Sequence, residues 1–225
     1  MRLLILALAL VVSACSQEQT PSTPQTSEDI FVLIENGGTI NEENYEDALD
    51  TSLNLLQQLT TLGRRKATRN SQIHIVLSAL PNRIAWSGSA NQLMEQAGQV
   101  KDLIVFKKSF SDLVMAFDQI ETTINLTQPD HVRLYWVGTT IHVPFQETDA
   151  QINVEVPQEV PTNLALSNFS NRLSALKIYR VHPDQDQIFQ AYLGSLGLLA
   201  KAKKGDLDFT LMGDAQTKSH LGSLL

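Results

Sequence analysis

One turn carries most of the chemistry this sequence can offer. Glu35, Asn36, Gly37, Gly38 and Thr39 place a carboxylate, an amide, two glycines and a hydroxyl in consecutive positions. The turn follows a continuous apolar run, Ile30, Phe31, Val32, Leu33 and Ile34, and precedes a long amphipathic pattern. A short β-branched apolar run reads as a strand buried on both faces of a parallel sheet. Ligands in such sheets sit at the carboxyl ends of the strands, where this turn lies. Paired glycines before a helix can cradle a phosphate, but Glu35 and the acids Glu42 and Glu43 oppose an anion here. Elsewhere no G-x-S-x-G, H-E-x-x-H, C-x-x-C or Walker A pattern occurs. Ser87, between Trp86 and Gly88, only echoes a nucleophile elbow, and the Gly194 to Gly197 stretch does so inside a helical pattern. His74, His131, His142, His182 and His220 show no metal-ligand spacing, and His74 on an apolar strand reads as a satisfied core histidine. Asp184 and Asp186 read as a helix-start pair. No catalytic constellation is legible, and the expectation is a non-enzyme.

Stepping outward from the turn, Asn41 with Glu42 and Glu43 opens a helix. Its face is Tyr45, Leu49, Leu53, Leu56 and Leu59, and it ends near Gly63. Residues 72–80 predict a strand, and residues 83–87 a short return strand after Pro81 and Asn82. Ser89 caps a helix to about Val100, and residues 103–106 read as a strand or a buried connector. Residues 109–112 cap a second long helix with Leu113, Ala116, Phe117, Ile120 and Ile124 inward. Residues 131–137 alternate as a strand. Residues 139–161, with three prolines, read as a two-stranded excursion using residues 141–143 and 152–156. Residues 164–173 predict a helix and 175–181 a strand. A helix then starts at Pro183 and closes near Gly205, residues 208–212 form the last strand, and the tail from Gln216 suits a short helix. Strands and helices alternate repeatedly, which demands right-handed crossovers. The fold expected is α/β: a doubly wound, mainly parallel sheet with helices on both faces and one antiparallel return strand.

The amino terminus is different in kind. Arg2 and a short apolar run over residues 3–12 form a secretory leader, too short for a permanent membrane span. Val12, Ser13, Ala14 and Cys15 resemble the bacterial lipobox, in which the peptide is cut before a cysteine that is then lipidated. Cys15 is the only cysteine, so the resemblance implies a covalent lipid on Cys15 and no disulfide. Ser16 in second place favours the outer membrane, on its periplasmic face. Residues 16–29 lack aliphatic and aromatic side chains and read as a tether. The expected organisation is therefore a leader over 1–14, lipidated cysteine and disordered tether over 15–29, and a single domain over 30–225.

The chain holds 17 basic and 24 acidic residues, a net charge of −7. Basic residues occur only in small clusters such as Arg64, Arg65 and Lys66, near helix ends, where cations oppose the helix dipole. A nucleic-acid partner is excluded on this ground.

The order of elements, with the residues at the turn, resembles the von Willebrand factor A-type fold. In that family the first strand ends in a metal-ion-dependent adhesion motif, Asp-x-Ser-x-Ser. Here Glu35 stands in the aspartate's place, Gly37 in the first serine's and Thr39 in the second's. Ser111, five residues before Ala116, occupies the place of a metal-loop threonine. Where the family's second aspartate follows the next strand, this chain has Gly138, Thr139 and Thr140. The resemblance implies a degenerate site. A hard cation needs near-octahedral oxygen ligands, and the expectation is structural use of these residues. Any Mg²⁺ or Ca²⁺ would be held weakly, by Glu35, Thr39 and Ser111.

Together these readings predict a lipid-anchored envelope binding or scaffold module of a bacterium. It would contact an envelope protein partner in a secretion, conjugation or adhesion assembly. The face expected to work comprises Glu35, Asn36, Gly37, Gly38, Thr39, Ser111, Gly138, Thr139 and Thr140. The alternatives are an envelope enzyme or small-ligand carrier using the same face, or a weak cation-dependent adhesin.

Overall fold

The structure is a computed structural model, and it describes residues 27–65, 68, 70–145 and 154–222. The expected leader, Cys15, most of the tether, Lys66, and Ile152 with Asn153 lie outside the described residues.

Six strands occur among the described residues: β1 (Glu28–Ile34), β2 (Gln72–Leu77), β3 (Ile84–Ser89), β4 (His131–Val137), β5 (Leu173–Val181) and β6 (Asp208–Gly213). They form one sheet in the order β3-β2-β1-β4-β5-β6. β1 lies in the middle and pairs in parallel on both sides, with Phe31 opposite His74 of β2 and Leu134 of β4. β5 and β6 extend the parallel pairing. β3 returns antiparallel to β2, as the hairpin pattern predicts. The mixed α/β, mainly parallel architecture matches the expectation, although β1 begins at Glu28 rather than at Ile30.

Parallel neighbours cannot be joined by tight turns, so helices carry the chain back over the sheet. These are α1 (Tyr45–Thr60), α2 (Ala90–Glu95), α3 (Ala97–Leu103), α4 (Leu113–Thr127), α5 (Leu166–Phe169), α6 (Pro183–Ser195), α7 (Leu198–Lys204) and α8 (Asp214–Gly222). Side chains alternate along each strand, so β1 feeds two cores. Phe31 and Leu33 join Leu134, Trp136, Leu176 and Ile178 beneath Phe117 and Ile120 of α4 and Phe189 and Leu193 of α6. Ile30, Val32 and Ile34 join Ile73, Ile75 and Tyr179 against Leu55, Leu56 and Leu59 of α1, with Leu221 of α8. All five residues of the opening apolar run are fully buried, which explains why the run is continuous rather than alternating.

Several expectations change in detail. The helix capped by Ser89 breaks at Gln96 into α2 and α3, and the one from Pro183 breaks at Gly197, whose φ is +73°. Residues 164–173 give only α5 and a 3₁₀ turn, with Leu173 already in β5. Leu103 ends α3, and residues 104–106 are a connector, not a strand. The two-stranded excursion over 139–161 is absent among the described residues. Val143 instead makes a single antiparallel bridge with Ser111. Pro144, directly after it, has no N–H with which to extend the ladder.

A charged cluster docks the last helix. Arg180 sits at a bulge in β5 with φ +65°. Its guanidinium pairs with Asp47 of α1 and, at 3.0 Å, with Asp214 of α8. Lys218 bridges the same two carboxylates at 3.2 and 2.9 Å. Burial pushes Asp47 up, but hydrogen bonds from Arg180 and Lys218 outweigh it and hold the carboxyl below its ordinary value.

Gln128 ends α4 in the left-handed region, at φ 49° and ψ 51°. A side chain there costs about 1 kcal/mol that glycine avoids. Gln128→Gly is expected to raise stability by up to about 1 kcal/mol, less the loss of the bond from its Nε2 to the Asn125 carbonyl. Urea denaturation of both proteins checks this.

Candidate functional site

The strand order reverses between β1 and β4, because the chain winds outward from β1 to one side and then from β4 to the other. Such a switch point leaves a crevice beyond the strands' carboxyl ends. Glu35 follows β1 and Gly138 follows β4, so the sequence-selected turn lies at that crevice.

The crevice is filled by the protein's own carboxylate. Glu35 is fully buried. Trp136 Nε1 donates to its Oε1 at 2.6 Å, and the Thr140 amide donates to the same oxygen at 2.9 Å. Oε2 accepts from the Thr139 amide at 3.0 Å, from Thr139 Oγ1 at 2.9 Å and from Thr39 Oγ1 at 3.3 Å. The backbone N–H of Glu35 also reaches the Val137 carbonyl at 2.9 Å. Thr140 reaches its position with φ +63°. Gly138 has to be glycine, because a Cβ there would stand 2.2 Å from Glu35 Cδ.

The other expected residues brace the same plug. Asn36 Nδ2 donates to the Val105 carbonyl at 2.9 Å, and Asn36 Oδ1 accepts from the Ala79 amide at 3.0 Å. A Cβ on Gly37 would lie 2.2 Å from the Phe110 carbonyl oxygen. The Gly38 amide donates to the Ser109 carbonyl at 2.6 Å. Ser111 is fully buried, and its hydroxyl donates to Ser78 Oγ at 2.7 Å rather than to Glu35. The structure therefore brings all nine residues to one end of the sheet. Gly38, Thr39 and Thr139 are half-buried there, and the other six are buried. An ionised carboxylate offers about four lone-pair sites, and these donors occupy them. Both oxygens of Glu35 thus accept from the protein's own donors, and the Ser111 hydroxyl is turned to Ser78. Among the described residues no group of three or more His, Cys, Asp or Glu side chains is placed to hold a metal.

Sequence reasoning missed Trp136, which it read only as a core strand residue. A buried indole N–H requires an acceptor, and the acid one strand away supplies it. Nearby, Asp112 caps α4 through Met115 and also accepts from the Phe145 amide at 2.9 Å. His142 Nδ1 accepts from the Leu113 amide at 3.1 Å. Burial pulls His142 down, against the opposing charge of Asp112. To one side, at the ends of β5 and β6, lies a cavity of about 400 Å³ lined by Val181, Pro183, Asp186, Leu211, Gly213 and Gln216.

No protein-family model matches the sequence, and no curated protein matches it. Solved structures do match. The chain is similar to PilB, a minor pilin from Streptococcus sanguinis, with 7% identity and a TM-score of 0.51, over 91% of this chain and 62% of that one. It also matches the pilus adhesin SpaC from Lactobacillus rhamnosus GG in its open conformation, with 13% identity and a TM-score of 0.48, over 90% and 30%. The chain thus spans less than two thirds of either neighbour.

The minor pilin overturns the resemblance drawn from sequence. The fold match is to a pilin rather than to a lipoprotein with a von Willebrand factor A-like domain. The residues that suggested a degenerate adhesion site are used as an internal plug, and nothing found supports the lipobox at Cys15.

Burial pushes the Glu35 carboxyl up to about 7, against hydrogen bonds from Thr139, Thr140 and Trp136 that pull it down. Below the ordinary value of 4.5 it is protonated whether folded or unfolded, so no penalty applies. Between 4.5 and 7 the unfolded chain releases a proton that the fold retains, so stability falls and then levels off. The expected loss is about 3 kcal/mol. Denaturation of the native protein and Glu35→Gln across this range checks it, and the variant should lack that part of the slope. Gly138→Ala forces the plug apart and should destabilise by about 1–3 kcal/mol, read as a lower Tm.

Proposed function

We propose that this chain is a protein-binding module of a bacterial surface or envelope, serving adhesion or assembly rather than binding a small ligand at the switch point. The observation that carries the reading is the sealed switch point. Where an α/β sheet of this order would admit a ligand, Glu35 and its donors fill the space. The likeness in fold to a minor pilin over 91% of the chain supports the surface assembly class.

The surface proposed for contact is the rim around the plug. Val105 is 57% exposed and Phe145 49%, and Phe145 packs edge-on to Phe110 at 4.8 Å. Lys107 and Lys108 are exposed beside them. The plug holds this rim through its backbone, since the Asn36 carbonyl accepts from the Lys107 amide at 3.1 Å. Exposed aromatic and aliphatic side chains beside cations match the make-up of a protein contact, in which aromatic residues carry much of the energy.

A photo-crosslinking residue at position 105 or 145, expressed in intact cells, is expected to capture a discrete surface protein. The same residue at position 203, on α7 at the other end of the sheet, should not. Phe145→Asp is expected to weaken capture about tenfold or more. Equal capture from position 203, or none from the rim, rejects the reading.

A further inference from the structure

Away from the plug, toward the amino end of β1, three side chains meet on one face of the sheet. Ser87 of β3 stands directly opposite His74 of β2, which stands opposite Phe31 of β1. Asp29 lies two residues before Phe31 on the same strand, and therefore on the same face. Ser87 Oγ is 2.5 Å from His74 Nδ1. His74 Nε2 faces Asp29 Oδ2 at 3.5 Å. Thr127 Oγ1, from the end of α4, donates to the same Asp29 oxygen at 2.6 Å and fixes the carboxylate. Phe31 stacks on the imidazole with ring centres 4.8 Å apart and planes at 23°, which fixes its plane. Asp29 and His74 are buried, while Ser87 is exposed on the edge strand.

We propose that Ser87, His74 and Asp29 form a nucleophilic relay that transfers the acyl group of small activated esters to Ser87. The chain order hides it, because the three residues come from three separate strands. The chemistry follows from the burial pattern. An exposed serine can be satisfied by water, yet this hydroxyl is held to a buried imidazole. The other ring nitrogen is buried with no in-line hydrogen-bond acceptor, and the nearest anion is Asp29. In the tautomer that suits both contacts, Nε2 carries the proton and faces the carboxylate, leaving the Nδ1 lone pair for the serine proton. Ser87 is thus the nucleophile, His74 its general base and Asp29 the positioning residue that stabilises the imidazolium. Contacts of this kind are commonly loose before substrate binds. β3 is the edge of the sheet.

In the first step Ser87 Oγ bonds to the acyl carbon, the ester's C–O bond breaks, and the serine proton passes through His74 Nδ1 to the leaving oxygen. Water then attacks the acyl-serine, releases the carboxylic acid and restores the Ser87 hydroxyl.

The test uses the full chain with p-nitrophenyl acetate, and a fluorophosphonate probe whose adducts are mapped by mass spectrometry. The expected result is phosphonylation of Ser87 at least about 100-fold faster than of Ser195, which is exposed without such a partner. Ser87→Ala should remove both that adduct and the p-nitrophenolate release. His74→Gln should slow both by about 100-fold, the scale of general-base assistance. Asp29→Asn should lower kcat by a similar factor with KM unchanged, which a merely structural role would not do. Should His74→Gln fail to fold, Ser87→Ala alone decides, since Ser87 is an exposed residue of the edge strand and its loss removes one hydrogen bond, to His74. Ester hydrolysis unchanged in Ser87→Ala, or labelling of Ser87 no faster than of Ser195, overturns the proposal.

Discussion

The carboxylate of Glu35 is the constraint on which the rest of this structure depends. A charge or a bare carboxyl group placed at the centre of a domain is costly unless its oxygens are satisfied. Here the partners come from the end of β4 and from the turn after β1, so the cost is met only when those two strands are paired in register. Satisfying the acid also dictates Gly138, which leaves the carboxylate room. The left-handed backbone of Thr140 belongs to the same arrangement. The polar centre thus specifies the junction of the two halves of the sheet more sharply than apolar packing alone.

Filling the switch point changes what this fold can do at its usual ligand-binding end. The loops there are pinned to one another through Asn36, Gly38 and Ser111. Among the described residues these bonds join the turn after β1 to the loops before α4. Around the rest of the sheet, polar side chains are again placed where strands and helices must be joined. Arg180 and Lys218 tie α8 to α1 through Asp47 and Asp214. Asp29 and His74, linked to Ser87 and Thr127, join three strands to the end of α4. The second of these clusters differs in one respect: it ends on an exposed hydroxyl, which takes a buried network to the solvent.

The histidines illustrate how differently one residue type can be used. His74 reads from sequence as a core residue satisfied in place, yet one of its nitrogens has no in-line acceptor. His182 caps α6 by accepting from the Asp184 amide at 3.3 Å, just before Pro183. His142 receives the first amide of α4. Only the His182 contact is local in sequence; the partners of His74 and His142 are set by how strands and helices come together.

The sequence by itself determined the layers of this protein. These signals are local: residues 30–34 were legible as an unbroken apolar run, the hairpin from Pro81 and Asn82 between two strand patterns, and the face of α4 from its helical period. It also marked the turn at residues 35–39, since a carboxylate and two glycines between a strand and a helix are unusual neighbours. Tertiary structure alone decided what that turn is for. The donors to Glu35 lie about a hundred positions away, at Trp136, Thr139 and Thr140, and no local pattern reports such a pairing. The same holds for Asp29, His74 and Ser87, which become neighbours only when β1, β2 and β3 are aligned. A local pattern says that a residue is inside, but whether its polar atoms meet a cation, a ligand or the protein's own donors depends on strand register.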